Sequence, residues 1–150
     1  MAKYEKPYPR SLPGGITLLY EDRDLLVIDK PAGLLTVKTD SEKEHTAVYI
    51  LADYMRRGCA KSRARVFVVH RLDRWTSGLL IFAKSEVAKD RLQERWPETR
   101  KKYLAVVHGV PDRRSGTVRS YLAENSAQKM YSTPDARRGK LAETAYRVLQ

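Results

Sequence analysis

Two short, mainly apolar stretches near the start of the chain are separated by polar and acidic residues, as β-strands are by turns. The pattern predicts strands at 16–20 and 25–29, joined by an acidic turn. The tetrapeptide Lys30-Pro31-Ala32-Gly33 predicts a second turn. Residues 1–15 hold three prolines and two glycines. This composition indicates an irregular N-terminal arm that precedes a domain at 16–150.

Two helices are predicted where the apolar spacing changes. From Thr46 apolar residues recur at intervals of three and four, which indicates an amphipathic helix that stops at Gly58. Its apolar face comprises Ala47, Val48, Ile50, Leu51, Tyr54 and Met55. A second helix is predicted after Ser85, because serine is a favoured N-cap, and Pro97 is predicted to end it.

The remaining apolar runs predict further strands, at 66–69, 78–83, 102–110, 117–122 and 143–149. The prediction for the whole chain is thus about seven strands and two helices. Strands joined by tight turns, with few helices between them, favour an α+β fold on a mainly antiparallel sheet. A chain of 150 residues is expected to form one domain.

The charge of the chain narrows its choice of partner. Lysine and arginine number 29 against 18 acidic residues, a formal charge of +11. Such a surplus favours a polyanion, with nucleic acid first, although a solvated basic surface is the alternative. The single cysteine, Cys59, leaves no internal disulfide and indicates a reducing, cytoplasmic setting. No apolar run approaches the roughly 18 residues of a membrane span.

Several kinds of chemistry lack their sequence signatures. The chain has no glycine-rich phosphate loop, no dinucleotide fingerprint and no HExxH helix, so no cofactor is expected. His45, His70 and His108 are too scattered to indicate a metal site. No nucleophile elbow surrounds Ser77, so serine hydrolysis is not expected.

A lone aspartate between two predicted strands is the strongest catalytic candidate. In VVHRLDRWTSGLLIFAKS, at 68–85, Asp73 follows one strand and precedes another, so a rigid scaffold would hold its carboxylate within reach of solvent. Arg71 and Arg74 would keep it ionised unless both side chains point away. The structural alternative is a turn that begins at Asp73 and ends at Gly78.

The same stretch resembles the signature of the RluA-type pseudouridine synthases, enzymes that isomerise chosen uridines in ribosomal or transfer RNA. Their pattern is His-Arg-Leu-Asp, two variable residues, Thr-Ser-Gly and an apolar run. VIDKPAGLLTV at 27–37 and KKYLAVVHGVP at 101–111 are similar to two further family segments. GTVRSYLAEN and KLAETAYRVL resemble its later strands. The resemblance runs from about residue 16 to the end.

This resemblance implies roles for individual residues. Asp73 would be the essential carboxylate: it attacks the anomeric carbon, or acts on the sugar while uracil leaves, and the base rejoins through carbon five. Tyr103 would pack against the uracil and assist proton removal, although a core tyrosine is the alternative. Arg71 would fill the gap left by a flipped nucleotide, or contact a phosphate. The residues expected to bind substrate are His70, Arg71, Arg74, Thr76 and Ser77. The family implies no cofactor and no metal. Strand geometry, if it persists here, places Leu72 in the core.

Two features depart from the family pattern. Trp75 stands where the family more often has a small, polar or acidic residue; it could stack on an unpaired base or cover the edge of the core. The family domain also continues into a Gly-Arg-x-His-Gln-Ile-Arg segment, whereas this chain stops at Gln150. A C-terminally short domain is therefore expected, as a fragment, a natural short form, or a protein completed by another chain. An uncovered sheet edge would then invite self-association.

Two hypotheses from different classes follow. The first is an RNA pseudouridine synthase acting on ribosomal or transfer RNA through Asp73. The second is a non-catalytic RNA-binding module that retains the synthase fold, and a DNA-binding protein is a weaker third possibility. Loss of modification on changing Asp73 to Asn, with RNA affinity kept, would distinguish the first from the second.

Overall fold

The computed structural model describes residues 9–56, 59, 62–126 and 129–150 of the chain. It divides into two compact units, Met1–Lys101 and Lys102–Gln150, where the sequence predicted one domain. Each unit has its own β-sheet, and both sheets are antiparallel. The α+β prediction is confirmed.

The first unit is built on a five-stranded sheet. Its strands are β1 (Arg10–Ser11), β2 (Thr17–Glu21), β3 (Leu25–Lys30), β4 (Phe67–Val68) and β5 (Gly78–Ala83). They are ordered β1-β2-β3-β5-β4. Strands β2, β3 and β5 match their predictions to within one residue. Regular structure begins earlier than predicted, because β1 lies inside the arm expected to be irregular.

Two helices accompany this sheet, as predicted. Helix α1 is Ala47–Arg56, and helix α2 is Glu86–Glu94, followed by a 3₁₀ turn at Trp96–Glu98. The side chain of Ser85 accepts a hydrogen bond from Ala88 N, which satisfies one of the free N–H groups at the start of α2. Gly58, the predicted stop of α1, lies outside the described residues.

The core of the first unit lies where α1 meets the sheet. Its buried apolar side chains are Ile16, Leu18, Leu26, Ile28, Leu34, Ala47, Ile50, Leu51, Leu72, Leu80 and Phe82. Alternation along β3 decides which side chains enter it, because successive residues of a strand point to opposite faces. Leu26, Ile28 and Lys30 are all fully buried. A lysine therefore ends the core-facing row of β3.

The second unit is a three-stranded sheet. Its strands are β6 (Ser115–Glu124), β7 (Met130–Thr133) and β8 (Lys140–Arg147), ordered β7-β6-β8. The strands predicted at 117–122 and 143–149 are confirmed as β6 and β8 with shifted ends. Strand β7 was missed because its four residues are mostly exposed and carry no alternating apolar pattern.

The strand predicted at 102–110 is wrong. No strand is assigned to these residues in the described chain, and their apolar side chains are exposed, Leu104 by 87% and Val106 by 104%. A strand needs a neighbour for its backbone N–H and C=O groups. The central strand of this unit, β6, already has β7 on one edge and β8 on the other. In the described chain the segment pairs with neither of the edge strands β7 and β8, so its backbone lacks the ladder that a strand requires.

Candidate active site

Six of the seven predicted site residues lie on one connection of the first unit. The segment 69–77 joins β4 to β5, which pair antiparallel with Val68 opposite Phe82. The six are His70, Arg71, Asp73, Arg74, Thr76 and Ser77. Tyr103 belongs to the second unit, where it is 64% exposed and lies in the segment without strand structure. Its predicted contact with uracil stays a prediction.

Thr36 fixes the residue before Asp73. The Thr36 side chain is buried, and its Oγ1 donates a hydrogen bond to Leu72 O at 2.7 Å. The same oxygen accepts one from Leu72 N at 3.2 Å. One hydroxyl thus replaces the strand partner that Leu72 lacks. Leu72 itself is packed in the core, as predicted, with 8% of its surface exposed.

Gly33 fixes the residue after Asp73. Gly33 N donates to Arg74 O at 2.8 Å, and Arg74 Nε donates back to Gly33 O at 3.1 Å. Gly33 has φ +90°, in the left-handed region where a side chain is strained. The Arg74 guanidinium also forms an ion pair with Glu42. Arg74 is therefore held by protein groups, whereas Arg71 is exposed.

Lys30 stabilises the backbone around this loop through hydrogen bonds, a role that was not predicted from the sequence. Its Nζ donates to three backbone carbonyls: Pro31 O at 2.9 Å, Leu34 O at 2.8 Å and Arg74 O at 3.3 Å. Burial lowers the pKa of Lys30 from its ordinary value, and the Asp73 carboxylate acts in the opposite direction. Lys30 thus donates to the backbone carbonyl of the residue that follows Asp73. The available signal was its position two residues after Ile28 on a strand of period two.

His70 fixes the other end of the connection. Its Nε2 accepts a hydrogen bond from Ile81 N at 3.2 Å, and its ring stacks on Trp96 with centroids 4.4 Å apart. Burial lowers the pKa of His70, the positive charge of Lys101 lowers it further, and a backbone hydrogen bond at Arg71 opposes both. The neutral ring, with Nε2 as acceptor, fits these contacts. His70 thus joins the connection to β5, and its predicted substrate-binding role stays a prediction.

Asp73 is exposed, whereas the backbone on both sides of it is held by hydrogen bonds. Its carbonyl accepts a hydrogen bond from Thr76 N at 3.1 Å, so a turn runs from Asp73 to Thr76; it is shorter than the alternative ending at Gly78, which instead begins β5. Among the described residues, the carboxylate forms neither a hydrogen bond nor an ion pair. Thr76 is half-buried and Ser77 is exposed. The carboxylate is thus free to act on a group brought from solution, while its backbone is held on both sides.

Trp75 is the most exposed aromatic group on this connection. Its side chain is 79% exposed. An ideal Cβ built on Gly33 would lie 3.6 Å from Cζ3 of the indole, so one ring edge lies against that glycine. The suggestion that Trp75 covers the edge of the core is therefore wrong. Stacking on an unpaired base stays open as the other alternative.

Metal ligands are not gathered in this part of the molecule. Over the residues that the structure describes, no group of three or more His, Cys, Asp and Glu side chains could hold an ion. None of the helices it describes is long and apolar enough to cross a membrane. The chemistry available at the loop is that of a carboxylate, a buried ammonium and hydroxyl groups.

Comparison with known proteins identifies the family of this chain. The family model described as RNA pseudouridylate synthase matches residues 24–150. The chain belongs to the pseudouridine synthase family. The match covers both units and includes Lys30, Asp73 and Tyr103, so the resemblance seen in the motif is confirmed.

Relatives of this pseudouridine synthase chain are longer than the chain itself. It is 36% identical over 137 residues to the ribosomal large subunit pseudouridine synthase C of Rickettsia bellii, covering 89% of this chain and 43% of that protein. It is 34% identical over 150 residues to an uncharacterized RNA pseudouridine synthase of Chlorobaculum parvum, covering 95% and 45%. The chain spans less than half the length of these curated relatives.

A solved structure shares the fold of this family member. Human RNA pseudouridylate synthase domain containing 4 superposes with a TM-score of 0.60 at 25% identity. The superposition covers 88% of this chain and 53% of the human one. The fold is thus that of pseudouridylate synthase domains.

Proposed function

We propose that this chain carries the centre that isomerises uridine to pseudouridine in RNA, with Asp73 as the essential carboxylate. The observation that carries the proposal is the state of Asp73: exposed, without a hydrogen bond or ion pair among the described residues, and fastened through its neighbours Leu72 and Arg74. Groups that react with a substrate gain from such positioning, because the geometry is fixed before the substrate arrives.

Asp73 would act at the sugar of the target nucleotide. Its carboxylate either forms a bond to the anomeric carbon as the bond to nitrogen one breaks, or stabilises the sugar while uracil departs. The freed base turns, and its carbon five bonds to the anomeric carbon; in the covalent route the bond from that carbon to the Asp73 carboxylate breaks in the same step. Nitrogen one gains a proton in place of its bond to the sugar. The proton on carbon five is then released to water. The buried ammonium of Lys30 sets a fixed positive charge near this carboxylate.

The other predicted residues take supporting roles in this proposal. Arg71 would fill the space left by the extruded nucleotide, which its exposed planar guanidinium suits. Tyr103 would pack against the uracil and assist removal of the carbon-five proton. Thr76 and Ser77 would contribute hydroxyl groups to RNA. His70 and Arg74 would act chiefly by holding the loop, given their contacts with Ile81 and with Gly33.

Ribosomal RNA is the first substrate class to test. The Rickettsia relative is named a ribosomal large subunit enzyme, and transfer RNA is the second class. Exposed basic residues would bind phosphates in either case. They include Arg63, Arg65, Arg100, Lys101, Lys102, Arg113, Arg114, Arg137, Arg138 and Lys140. The setting proposed is the cytoplasm.

Self-association is a further part of the proposal. The apolar side chains of 102–110, including Leu104 and Val106, are exposed, and no strand pairing is assigned to this segment in the described chain. Such a segment favours pairing with another chain. Sedimentation over a range of concentrations tests it: a constant monomer mass would contradict this part.

Release of tritium tests the catalytic proposal. RNA labelled at carbon five of uridine would be incubated with the chain, with Asp73→Asn and with Asp40→Asn, a matched change at an exposed aspartate. We expect release by the parent chain and by Asp40→Asn only, with RNA affinity kept in all three. Release by Asp73→Asn would refute the role of Asp73. RNA binding without release from any chain would indicate the non-catalytic module instead.

A further inference from the structure

Trp75 is an exposed aromatic side chain on the same connection as Asp73. Its indole is 79% exposed, whereas the other tryptophan, Trp96, is half-buried and stacks on His70. Exposed tryptophan at a fixed position offers a flat surface of the kind that binds unpaired bases. Trp75 is thus available to a partner in a way that Trp96 is not.

The backbone on both sides of Trp75 is held. Arg74 O accepts hydrogen bonds from Gly33 N and from the Lys30 ammonium, and Thr76 N donates to Asp73 O. One edge of the indole lies against Gly33, where a Cβ would stand 3.6 Å from Cζ3. A ring on a fixed backbone loses little freedom when a base stacks on it, which favours binding.

The position of Trp75 limits which base it can meet. One residue, Arg74, separates it from Asp73, so the two Cα atoms lie at most about 7 Å apart. The carboxylate acts on the target sugar, and the target base must turn between leaving that sugar and rejoining it. In the proposed function the target uracil already packs against Tyr103, so the indole of Trp75 is not needed for that base. The base that stacks on Trp75 therefore belongs to a neighbouring nucleotide.

We propose that Trp75 stacks on an unpaired base that flanks the target uridine, and so restricts the enzyme to uridines in loops, bulges or other single-stranded RNA. Paired bases already stack within their duplex and would have to leave it. The identity of the target nucleotide rests on the proposed function; stacking of a base on Trp75 does not require turnover. Stacking accepts any of the four bases, so the restriction concerns pairing more than sequence.

Fluorescence of Trp75 reports on the stack directly. The sequence has two tryptophans, so in Trp96→Phe the indole of Trp75 is the remaining one. The probes are a short single-stranded RNA with one uridine, its duplex, and two versions that lack the base on one side or the other of that uridine. We expect quenching by the single strand, little by the duplex, and loss of quenching in one of the two abasic strands.

Affinity provides the second measurement, in chains that keep Trp96. Trp75→Leu should weaken binding of the labelled single strand by about 5- to 100-fold, the range for loss of one base–aromatic stack. Trp75→Phe should recover most of it. Tyr49→Leu, at an aromatic residue of α1 that is 47% exposed, is the control and should bind like the parent chain.

The outcomes separate this inference from the proposed function. Quenching of Trp75 fluorescence in Trp96→Phe, together with weaker RNA binding by Trp75→Leu, would support the stack. If the parent chain at the same time released no tritium, the stack would stand and turnover would be refuted. In a chain that turns over, Trp75→Leu should raise KM far more than it lowers kcat. Equal affinities of Trp75→Leu and the parent chain, or no RNA binding by the parent chain, would overturn the inference.

Discussion

Replacing Lys30 by methionine tests whether one buried ammonium holds the reactive loop together. Methionine has a similar length and no charge, so the change removes three hydrogen bonds and leaves the rest of the packing nearly intact. Two of those bonds, to Pro31 O and Leu34 O, are 2.9 and 2.8 Å long, and the bond to Arg74 O is 3.3 Å. The three carbonyls would lose their donor. Water could not easily take its place, because Lys30 is fully buried.

The expected loss follows from two opposing contributions. Each hydrogen bond from a charged group stabilises the fold by about 1.5–3 kcal/mol, so the two short bonds to Lys30 contribute roughly 3–6 kcal/mol. Removing the charge recovers part of the desolvation penalty of a buried ion, which is several kcal/mol. We expect a net fall of about 2–4 kcal/mol in the free energy of unfolding of the first unit.

Urea unfolding followed by tryptophan fluorescence measures this loss. Both reporters, Trp75 and Trp96, lie in the same unit as Lys30. Lys38→Met is the matched control, because Lys38 is exposed in that unit and loses the same charge; it should stay within about 0.5 kcal/mol of the parent chain. Tritium release should fall with Lys30→Met in the folded protein. A Lys30→Met chain as stable as Lys38→Met would refute the argument.

Two further predictions concern the contacts at the ends of the loop. Because the folded state lowers the pKa of His70, the unfolded state binds more protons below the ordinary value of about 6.5, and stability should fall as pH drops from 7 towards 5.5. His70→Gln should reduce the dependence of the free energy of unfolding on pH over this range. The control is His45→Gln, at an exposed histidine. If both variants showed the same pH dependence, the argument for His70 would be contradicted. In a double-mutant cycle of Arg74→Gln and Glu42→Gln, we expect a coupling of about 0.5–1 kcal/mol, since the pair is partly exposed. Arg74→Gln should cost more than Glu42→Gln because it also loses the bond to Gly33 O, and the reverse order would argue against that bond.

Local signals were sufficient for much of the first unit. Helix α1 and strands β2, β3 and β5 follow from apolar periodicity, since each buries one face against a single core. Ser85 was predicted as a cap from its residue type, and the cap is present. The placement of Asp73 in an exposed connection also followed from the flanking apolar runs.

Other features depend on partners that lie elsewhere in the chain. Strand period places Lys30 on the core-facing row of β3, but a lysine is almost never fully buried unless its charge is satisfied. The three carbonyls that satisfy it come from two separate loops. The segment 102–110 shows the converse, because its apolar pattern suits a strand but no strand of the described chain pairs with it. Apolar periodicity indicates which face of a strand would be buried, but it does not indicate whether a neighbouring strand is present to pair with it.

The fastening of the 69–77 connection also determines where movement occurs during a reaction. Its backbone is bonded at Val69, Leu72, Asp73 and Arg74, in part to buried groups of the core. The amide protons of Leu72 and Thr76, which donate to Thr36 Oγ1 and Asp73 O, should therefore exchange more slowly than those of loop residues without a partner. A loop of this kind does not close over its substrate. If the chain acts on RNA as proposed, the large rearrangement on binding falls to the RNA, and the time needed to extrude a nucleotide would set the pace of recognition.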